Sequence, residues 1–378
     1  MKFVHLSDLH LGKRVNEFSM IEEQRYILQE ILHIIEEEKP EGVVIAGDVY
    51  DKAVPGAEAV ALLDWFLTKL SKMGQPVFLI SGNHDSAERI AFGADLMENS
   101  QIYVSKVYNG TVKPIRVKDD YGEVFVYLLP FVKPVHVRNA FPEEQIDTYT
   151  DAISCAIQHM NLDLTQRNVL VTHQFVTGAS RCDSEEVSVG GSDNVDGSVF
   201  APFDYVALGH IHGPQNVGAS NIRYCGTPLK YSFSEVKHKK SVTVVELKKK
   251  GELEVRTVPL VPRRDLVELQ GTYEEVTSRS YYEALDQQAY IRMILKDEEE
   301  ILDGIGKLRA IYPNIMRLEY DNKRTRSSGE VSGAVDVQTK SELELFEEFY
   351  ELQNNQLMSE EQKAFVKNLL EQITGGVK

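Results

Sequence analysis

Pro76-Val77-Phe78-Leu79-Ile80-Ser81-Gly82-Asn83-His84-Asp85 is the stretch from which the fold can be read. Its first half is an apolar run ending in glycine, the pattern of a parallel strand buried on both faces, and ligands of open α/β sheets gather where such strands end. The run therefore delivers an amide and an imidazole to a sheet edge. Taken alone, Gly82 to Asp85 also fits a turn followed by a helix capped at Asp85 or Ser86.

Four other stretches repeat the arrangement. Phe3-Val4-His5-Leu6 runs into Ser7-Asp8-Leu9-His10, and Val43-Val44-Ile45-Ala46 runs into Gly47-Asp48. Val169-Leu170-Val171-Thr172 ends at His173, and Tyr205-Val206-Ala207-Leu208 ends at Gly209-His210-Ile211-His212. Core packing does not explain five apolar strands that each end in Asp, Asn or His, because a buried polar group costs roughly 2–7 kcal/mol unless it is paired or bound to metal.

Outward from these strands, the segment at 2–7 is followed by a loop and a helix over about 19–38, with Ile27, Leu28, Ile31, Leu32, Ile34 and Ile35 at helical spacing, until Pro40 stops it. Strand 43–46, a helix over about 56–73 and strand 77–81 continue the β-α-β order, which implies right-handed connections and parallel strands. Short β-type runs fill 101–131, a helix covers about 148–160, and Gln174 to Phe203 reads as a long loop. Strands at 222–225, 241–247 and 253–258 close the domain. The expected fold class is α/β: a two-sheet β-sandwich flanked by helices over 1–262.

A smaller α+β unit is expected over 263–321, with strands 265–269, 289–296 and 315–320 and a helix 298–311. Residues 322–340 are rich in Ser, Gly, Arg and Thr and read as a linker. The segment 341–375 reads as two helices, starting in the capping boxes Ser341-x-x-Glu344 and Ser359-x-x-Gln362. Leu343, Phe346, Phe349 and Tyr350, then Phe365, Val366, Leu369, Leu370 and Ile373, form apolar stripes that need a partner groove or the body of their own domain.

A chain of 378 residues exceeds one ordinary domain, and 42% hydrophobic content suffices for a buried core. No window approaches about 18 uninterrupted apolar residues, so a soluble cytoplasmic protein with no membrane partner is expected. Cys155, Cys182 and Cys225 show no C-x-x-C spacing, which gives no sign of a disulfide frame or a thiolate zinc site. A net charge of −17 argues against nonspecific polyanion binding by the whole chain. Lys13-Arg14, Lys133, Arg138 and Lys237 to Lys240 could still line a site rim, although the last stretch also reads as a solvated face.

The strand ends suggest metal chemistry. Residues two apart on a strand share a face, so Asp8 and His10 can converge on one ion, as can His210 and His212. Asp48, behind a glycine, has two oxygens with which to bridge ions about 3.5–4 Å apart. Asp, Asn and His donors without thiolates suit Mn²⁺, Fe²⁺ or Zn²⁺. Such a pair neutralises phosphate oxygens and activates water, which makes phosphoester hydrolysis the natural reaction. If Asn83 binds metal, His84 faces the substrate, where it can protonate a leaving oxygen; a purely structural role is the alternative. His5, His33, His136, His159 and His238 lack this context.

In this order the motifs resemble those of the calcineurin-like metallophosphoesterases. Leu6 to Gly12, Gly47 to Asp51, Gly82 to Ser86, Ala207 to His212 and the tract Tyr224 to Glu235 are similar to the SbcD branch, the nuclease subunits of bacterial SbcCD complexes. The resemblance implies one ion held by Asp8, His10, Asp48 and His212 and a second by Asp48, Asn83, His173 and His210, usually manganese, with His84 catalytic. It also implies DNA as substrate, a capping domain at 263–321, a homodimer, and C-terminal helices docking on an SbcC-type ATPase. Archaeal relatives carry a histidine where this chain has Asp51, which here reads as a turn residue. Ile90, Phe92, Leu96 and Met97 form an apolar stripe that fits either core or a dimer interface. Gly304-Ile-Gly306-Lys307 lacks phosphate-loop spacing, so ATP coupling must come from another polypeptide. Competing readings are a small-molecule phosphodiesterase or phosphoprotein phosphatase, and a structural subunit.

Overall fold

The computed structural model describes residues 1–185, 193–323, 325, 342–354 and 356–374. The chain divides into two compact units, Met1–Asp265 and Leu266–Lys378.

The first unit is built on two six-stranded sheets. In one, the order is Leu253–Pro259, Ser241–Leu247, Lys2–Leu6, Val43–Ala46, Val77–Ile80, Ile102–Val104. In the other it is Gln215–Val217, Ala219–Tyr224, Tyr205–Gly209, Arg167–His173, Gly122–Leu129, Ile115–Asp119. The four strands from Lys2–Leu6 to Ile102–Val104 run parallel, as do the four from Ala219–Tyr224 to Gly122–Leu129. Their carboxyl ends therefore lie along one edge of each sheet.

Why these segments are strands follows from composition and burial. Val43–Ala46 and Val77–Ile80 are buried at every position, as unbroken branched and aromatic runs require when both faces of a sheet are covered. Between the sheets Phe3, Val44, Ala46, Phe78 and Ile80 meet Val126, Leu128, Val169, Val171, Tyr205 and Ala207. Each of the larger apolar side chains stabilises the sandwich by roughly 1.5–3 kcal/mol. The far face of the second sheet packs Tyr127, Leu129, Leu170, Val206 and Leu208 against Ala152, Ile153 and Ala156 of the helix Tyr149–Gln158. Helices Ile21–Glu38 and Ala57–Lys72 each bury one stripe, Ile27, Leu28, Ile31, Leu32 and Ile35 in the first and Leu62, Leu63, Phe66, Leu67 and Leu70 in the second. The α/β sandwich flanked by helices is the class expected.

Several details differ from the sequence reading. The stretch read as one long loop contains a short parallel pair, Phe175–Val176 with Asn194–Val195, and a 3-10 turn, Gly197–Phe200. Pro134–Ala140 is a helix, begun by a proline that pre-sets its first turn.

The second unit has a three-stranded parallel sheet, Leu266–Gly271, Tyr290–Leu295 and Ile315–Tyr320, over a core of Val276, Ile291, Met293, Leu295, Leu308 and Tyr312. The expected helix 298–311 is only Gly304–Arg309. Two short helices, Tyr273–Thr277 and Arg279–Tyr282, lie outside the expected elements, and Thr272 and Glu275 form a capping box at the first. Asn322, expected to begin the linker, is buried and donates to Asp297 O at 3.1 Å. Helices Glu342–Asn354 and Glu360–Thr374 follow. Ser359 and Gln362 close the second capping box at 2.9 and 3.2 Å, whereas Ser341 lies outside the described residues. Among the described residues no helix is long and apolar enough to cross a membrane.

Candidate metal centre

At the carboxyl ends of the parallel strands the backbone leaves β space abruptly. Asp8 (φ 53°), His10 (φ 44°), Asp48 (φ 48°) and His210 (φ 103°) all occupy the left-handed region, where a side chain costs on the order of 1–3 kcal/mol. This corrects the strand-face argument. Asp8 and His10 lie beyond the last strand residue, Leu6, and converge because the chain curls.

Main-chain bonds fix the curl. Asp8 N donates to Gly47 O at 3.0 Å and His10 N to Asp48 O at 2.9 Å. Asp85 then ties the next loop to these: its carboxylate accepts from Val49 N, Tyr50 N and Gly82 N at 3.0, 2.9 and 2.9 Å. The sequence reading of Asp85 as a cap gives way to this role, while Ser86 caps the following turn by accepting from Arg89 N at 3.3 Å. Two glycines are dictated by close approach. A Cβ on Gly82 would stand 2.1 Å from Asp48 Oδ1, and one on Gly209 would stand 1.9 Å from Ala46 O.

The structure brings all eight predicted site residues together. His10 Nε2 and His212 Nε2 face each other at 3.2 Å. Asp48 Oδ2 lies 3.3 Å from His173 Nε2, 3.7 Å from His10 Nε2 and 3.9 Å from His84 Nε2. Asn83 Oδ1 lies 3.0 Å from His173 Nε2 and 2.9 Å from His210 Nδ1. Asp8, hydrogen-bonded to Ser7 Oγ, also accepts from His210 N at 3.0 Å, and its carboxylate sits with His10 and His212 on one side and with Asp48 and His173 on the other. His84 turns Nδ1 to Asp51 O at 3.1 Å, and its main-chain N donates to Asp48 Oδ1 at 2.9 Å.

This donor set fits divalent ions. Buried imidazole nitrogens aimed at one another and at a shared carboxylate oxygen are poorly satisfied by hydrogen bonds alone, whereas N and O donors without a thiolate suit borderline metals. The electrostatics agree. Burial raises Asp8 to about 6, with Asp48 adding repulsion. Burial also opposes charge on His173 and His212, yet Asp48 lifts the first to about 9 and hydrogen bonds with Cys182 and Glu235 lift the second to about 10. His10 and His210 are held neutral by desolvation, the latter lowered to about 3.

Sequence reasoning missed the residues that support these candidate ligands. Glu235, fully buried, places Oε1 3.2 Å from His212 Nδ1, and Ser184 donates to the same oxygen at 2.6 Å. Lys240 Nζ donates to Glu235 Oε2 at 2.6 Å, Thr227 Oγ1 at 2.6 Å and His212 O at 2.9 Å. Lys240 is therefore neither solvated nor on a rim, unlike the exposed Lys237 and Lys239. Gln24 Nε2 donates to His10 O at 2.7 Å, and Tyr231 OH donates to Leu9 O at 2.6 Å, which holds the first loop from behind. Arg138 is engaged with Ile146 O, at 2.6 Å through Nη2, and Lys13 pairs with Asp51 at 2.8 Å. Glu235 and Tyr231 lie in the Tyr224 to Glu235 tract noted above; Gln24 and Ser184 carry no sequence signal. Of the five histidines set aside, His5 is buried against Tyr205 OH at 3.0 Å and His159 stacks on Phe141.

A helix-flanked double sheet with Asp, Asn and His donors gathered at its strand ends is the arrangement of a metallophosphoesterase. The calcineurin-like phosphoesterase family matches residues 1–214, and the type 5 capsule protein repressor C-terminal domain matches residues 262–354. The SbcD subunit of the SbcCD nuclease of Staphylococcus epidermidis is 34% identical over 377 residues, 98% of either chain. The chain thus belongs to the SbcD branch of the calcineurin-like phosphoesterases. Among solved structures, a Thermus thermophilus protein is similar at 14% identity and a TM-score of 0.40, covering 68% of this chain and 98% of its own. A dimetal phosphatase from Danio rerio is similar at 11% identity and a TM-score of 0.41, covering 69% and 96%.

Proposed function

We propose that this chain is a two-metal DNA phosphodiesterase, cutting as exonuclease and endonuclease alongside an SbcC-type ATPase. The observation that carries the reading is the placement of Asp48, one of whose oxygens lies within 3.3–3.9 Å of three separate imidazoles. In this reading Asp8, His10, Asp48 and His212 hold one ion, Asp48, Asn83, His173 and His210 hold the other, and the native metal is manganese. When bound, the ions activate water and neutralise phosphate oxygens.

The chain's own residues orient and protonate. His173 donates Nδ1–H to Ala46 O at 2.9 Å, which leaves Nε2 to face the centre. His84 donates Nδ1–H to Asp51 O, which leaves Nε2 on the site side, where in its protonated form it supplies a proton to the leaving oxygen. A nucleic-acid phosphodiester is favoured as substrate by the near-complete overlap with the Staphylococcus nuclease subunit, and DNA by the likeness of the motif tracts to the SbcD branch. The test is to incubate the chain with linear duplex DNA, a nitrophenyl phosphodiester and a phosphopeptide, with and without Mn²⁺. Metal-dependent cutting of DNA is expected; hydrolysis of the phosphopeptide or small ester with DNA left intact would favour the phosphatase reading, and no hydrolysis at all the structural one.

Residues 1–262 form the nuclease in this reading, 263–321 a cap, 322–340 a linker and 341–375 the ATPase-docking helices. Exposed Phe349, Phe365 and Leu369 support the last assignment. Exposed Phe92 and Leu96, beside buried Ile90, support a homodimer. A cytoplasmic role in processing DNA ends and hairpins during repair, recombination and replication follows. Because Asn322 is buried, the docking test removes everything after Thr325: basal nuclease activity should survive and co-purification with the ATPase should vanish, whereas undiminished ATPase binding would refute the assignment.

A further inference from the structure

An imidazole that binds an ion through one nitrogen carries its proton on the other, and that second nitrogen needs an acceptor. His173 has Ala46 O at 2.9 Å, and His212 has Glu235 Oε1 at 3.2 Å. His10 differs. Its Nε2 faces His212, and its Nδ1 is buried with no hydrogen-bond partner among the described residues. A desolvated N–H without an acceptor is destabilising, because it has given up water and gained nothing in return.

A carboxylate stands just short of it. Asp51 Oδ1 lies 3.9 Å from His10 Nδ1, and the aspartate is itself held: Lys13 Nζ pairs with Oδ1 at 2.8 Å, and the Asp51 main chain donates to Leu11 O at 3.2 Å. Its carbonyl accepts from His84 Nδ1. One residue thus touches both the His10 and the His84 side of the centre. A closing of about 0.7 Å brings Asp51 within the ordinary limit of about 3.2 Å for a hydrogen bond to His10.

Resting on the two-ion reading, we infer that Asp51 is a positioning residue of the metal centre. Its carboxylate accepts the Nδ1–H of His10 and fixes that ligand's tautomer, while its carbonyl sets the ring of His84. Lys13 neutralises the carboxylate, so that it adds no net negative charge beside an incoming phosphate. Asp51 is more than the turn residue the sequence suggested, and Lys13 acts through it.

The test is Asp51→Asn, which keeps the size and the main-chain carbonyl but removes the anionic acceptor. Stepwise Mn²⁺ titration of the full chain by calorimetry should show one ion bound about 10–100-fold more weakly and the other unchanged, with kcat on duplex DNA restored at saturating Mn²⁺. His10→Ala identifies which step belongs to His10. Equal affinity in Asp51→Asn, or both ions weakened together with a large fall in Tm, would overturn the inference. Wild-type chain that binds fewer than two ions would instead sink the two-ion reading. Should Asp51→Asn not fold, Lys13→Met addresses the same pair from the rim: it should shift the affinity of the same binding step and spare the other, and no change would overturn the inference.

Discussion

Replacing Glu235 by Gln is the most informative perturbation outside the proposed ligands, because it separates stability from metal binding. The carboxylate and the Lys240 ammonium lie 2.6 Å apart with side chains 0% and 4% exposed. Glu235→Gln leaves that ammonium buried with neutral partners only, and breaking a buried pair from one side costs about 3–5 kcal/mol. At roughly 2–4 °C per kcal/mol for a unit of this size, the first thermal transition should fall by about 6–20 °C. Loss of the carboxylate behind His212 should also weaken binding of one ion about 10–100-fold. The double variant Glu235→Gln, Lys240→Met removes the lone charge, so its melting should return to within a few degrees of wild type while metal affinity stays low. Calorimetric scans and Mn²⁺ titrations of the three proteins read both quantities. Wild-type melting in the single variant, or regained affinity in the double, would refute the reasoning. The sign with pH is fixed as well. Burial pushes the Glu235 carboxyl up, but His212 and Lys240 overcome it and hold it below its ordinary 4.5, so its stabilisation is complete above about pH 5 and is lost as acid titrates the folded form. The gap between wild type and Glu235→Gln should therefore narrow in acid.

His84→Ala should keep both ions and lose about 10²–10⁴-fold in rate, measured by metal analysis beside DNA cleavage; loss of an ion would rule out the proton-donor role. Asp48→Ala should empty or scramble both sites, and a variant that retained two tight Mn²⁺ ions would exclude bridging. With His173 raised to about 9 and His212 to about 10, both carry an extra proton near pH 7 in metal-free chain, so ion binding must release protons and tighten as pH rises towards 9. Titrations in buffers of different ionisation enthalpy detect that release, and buffer-independent heats would contradict it.

What could be read in advance was what repeats along the chain. Runs such as Val43–Ala46 and Val77–Ile80 announce buried strands because both faces must be apolar, and a polar residue directly after such a run has few explanations other than a site. The residues behind the ligands follow no such rule. Glu235 reaches His212 across 23 positions because the Ala219–Tyr224 strand and the turn at Phe233–Glu235 fold back on the site, and no period in the sequence encodes that return. Lys240 looked like part of a solvated lysine run because its neighbours Lys237 and Lys239 do lie on the surface; only tertiary pairing with Glu235 distinguishes it. The curl at Asp8 and His10 was hidden for another reason. Left-handed backbone at non-glycine residues is imposed by the bonds to Gly47 O and Asp48 O from a neighbouring strand end, not by local preference.

That curl also sets a conflict between durability and chemistry. Asp8, His10, Asp48 and His210 sit where glycine would be at ease, and the sandwich tolerates them only because its packed strands hold their backbone in place. Selection for a sturdier molecule alone would drift these four positions towards glycine or asparagine and yield a protein that melts later and, on the two-ion reading, cuts nothing. His10→Gly, which relieves the curl and leaves the ring's space to water, should unfold at a temperature equal to or above that of His10→Ala, and the difference measures how much thermal resilience the catalytic edge gives up to exist.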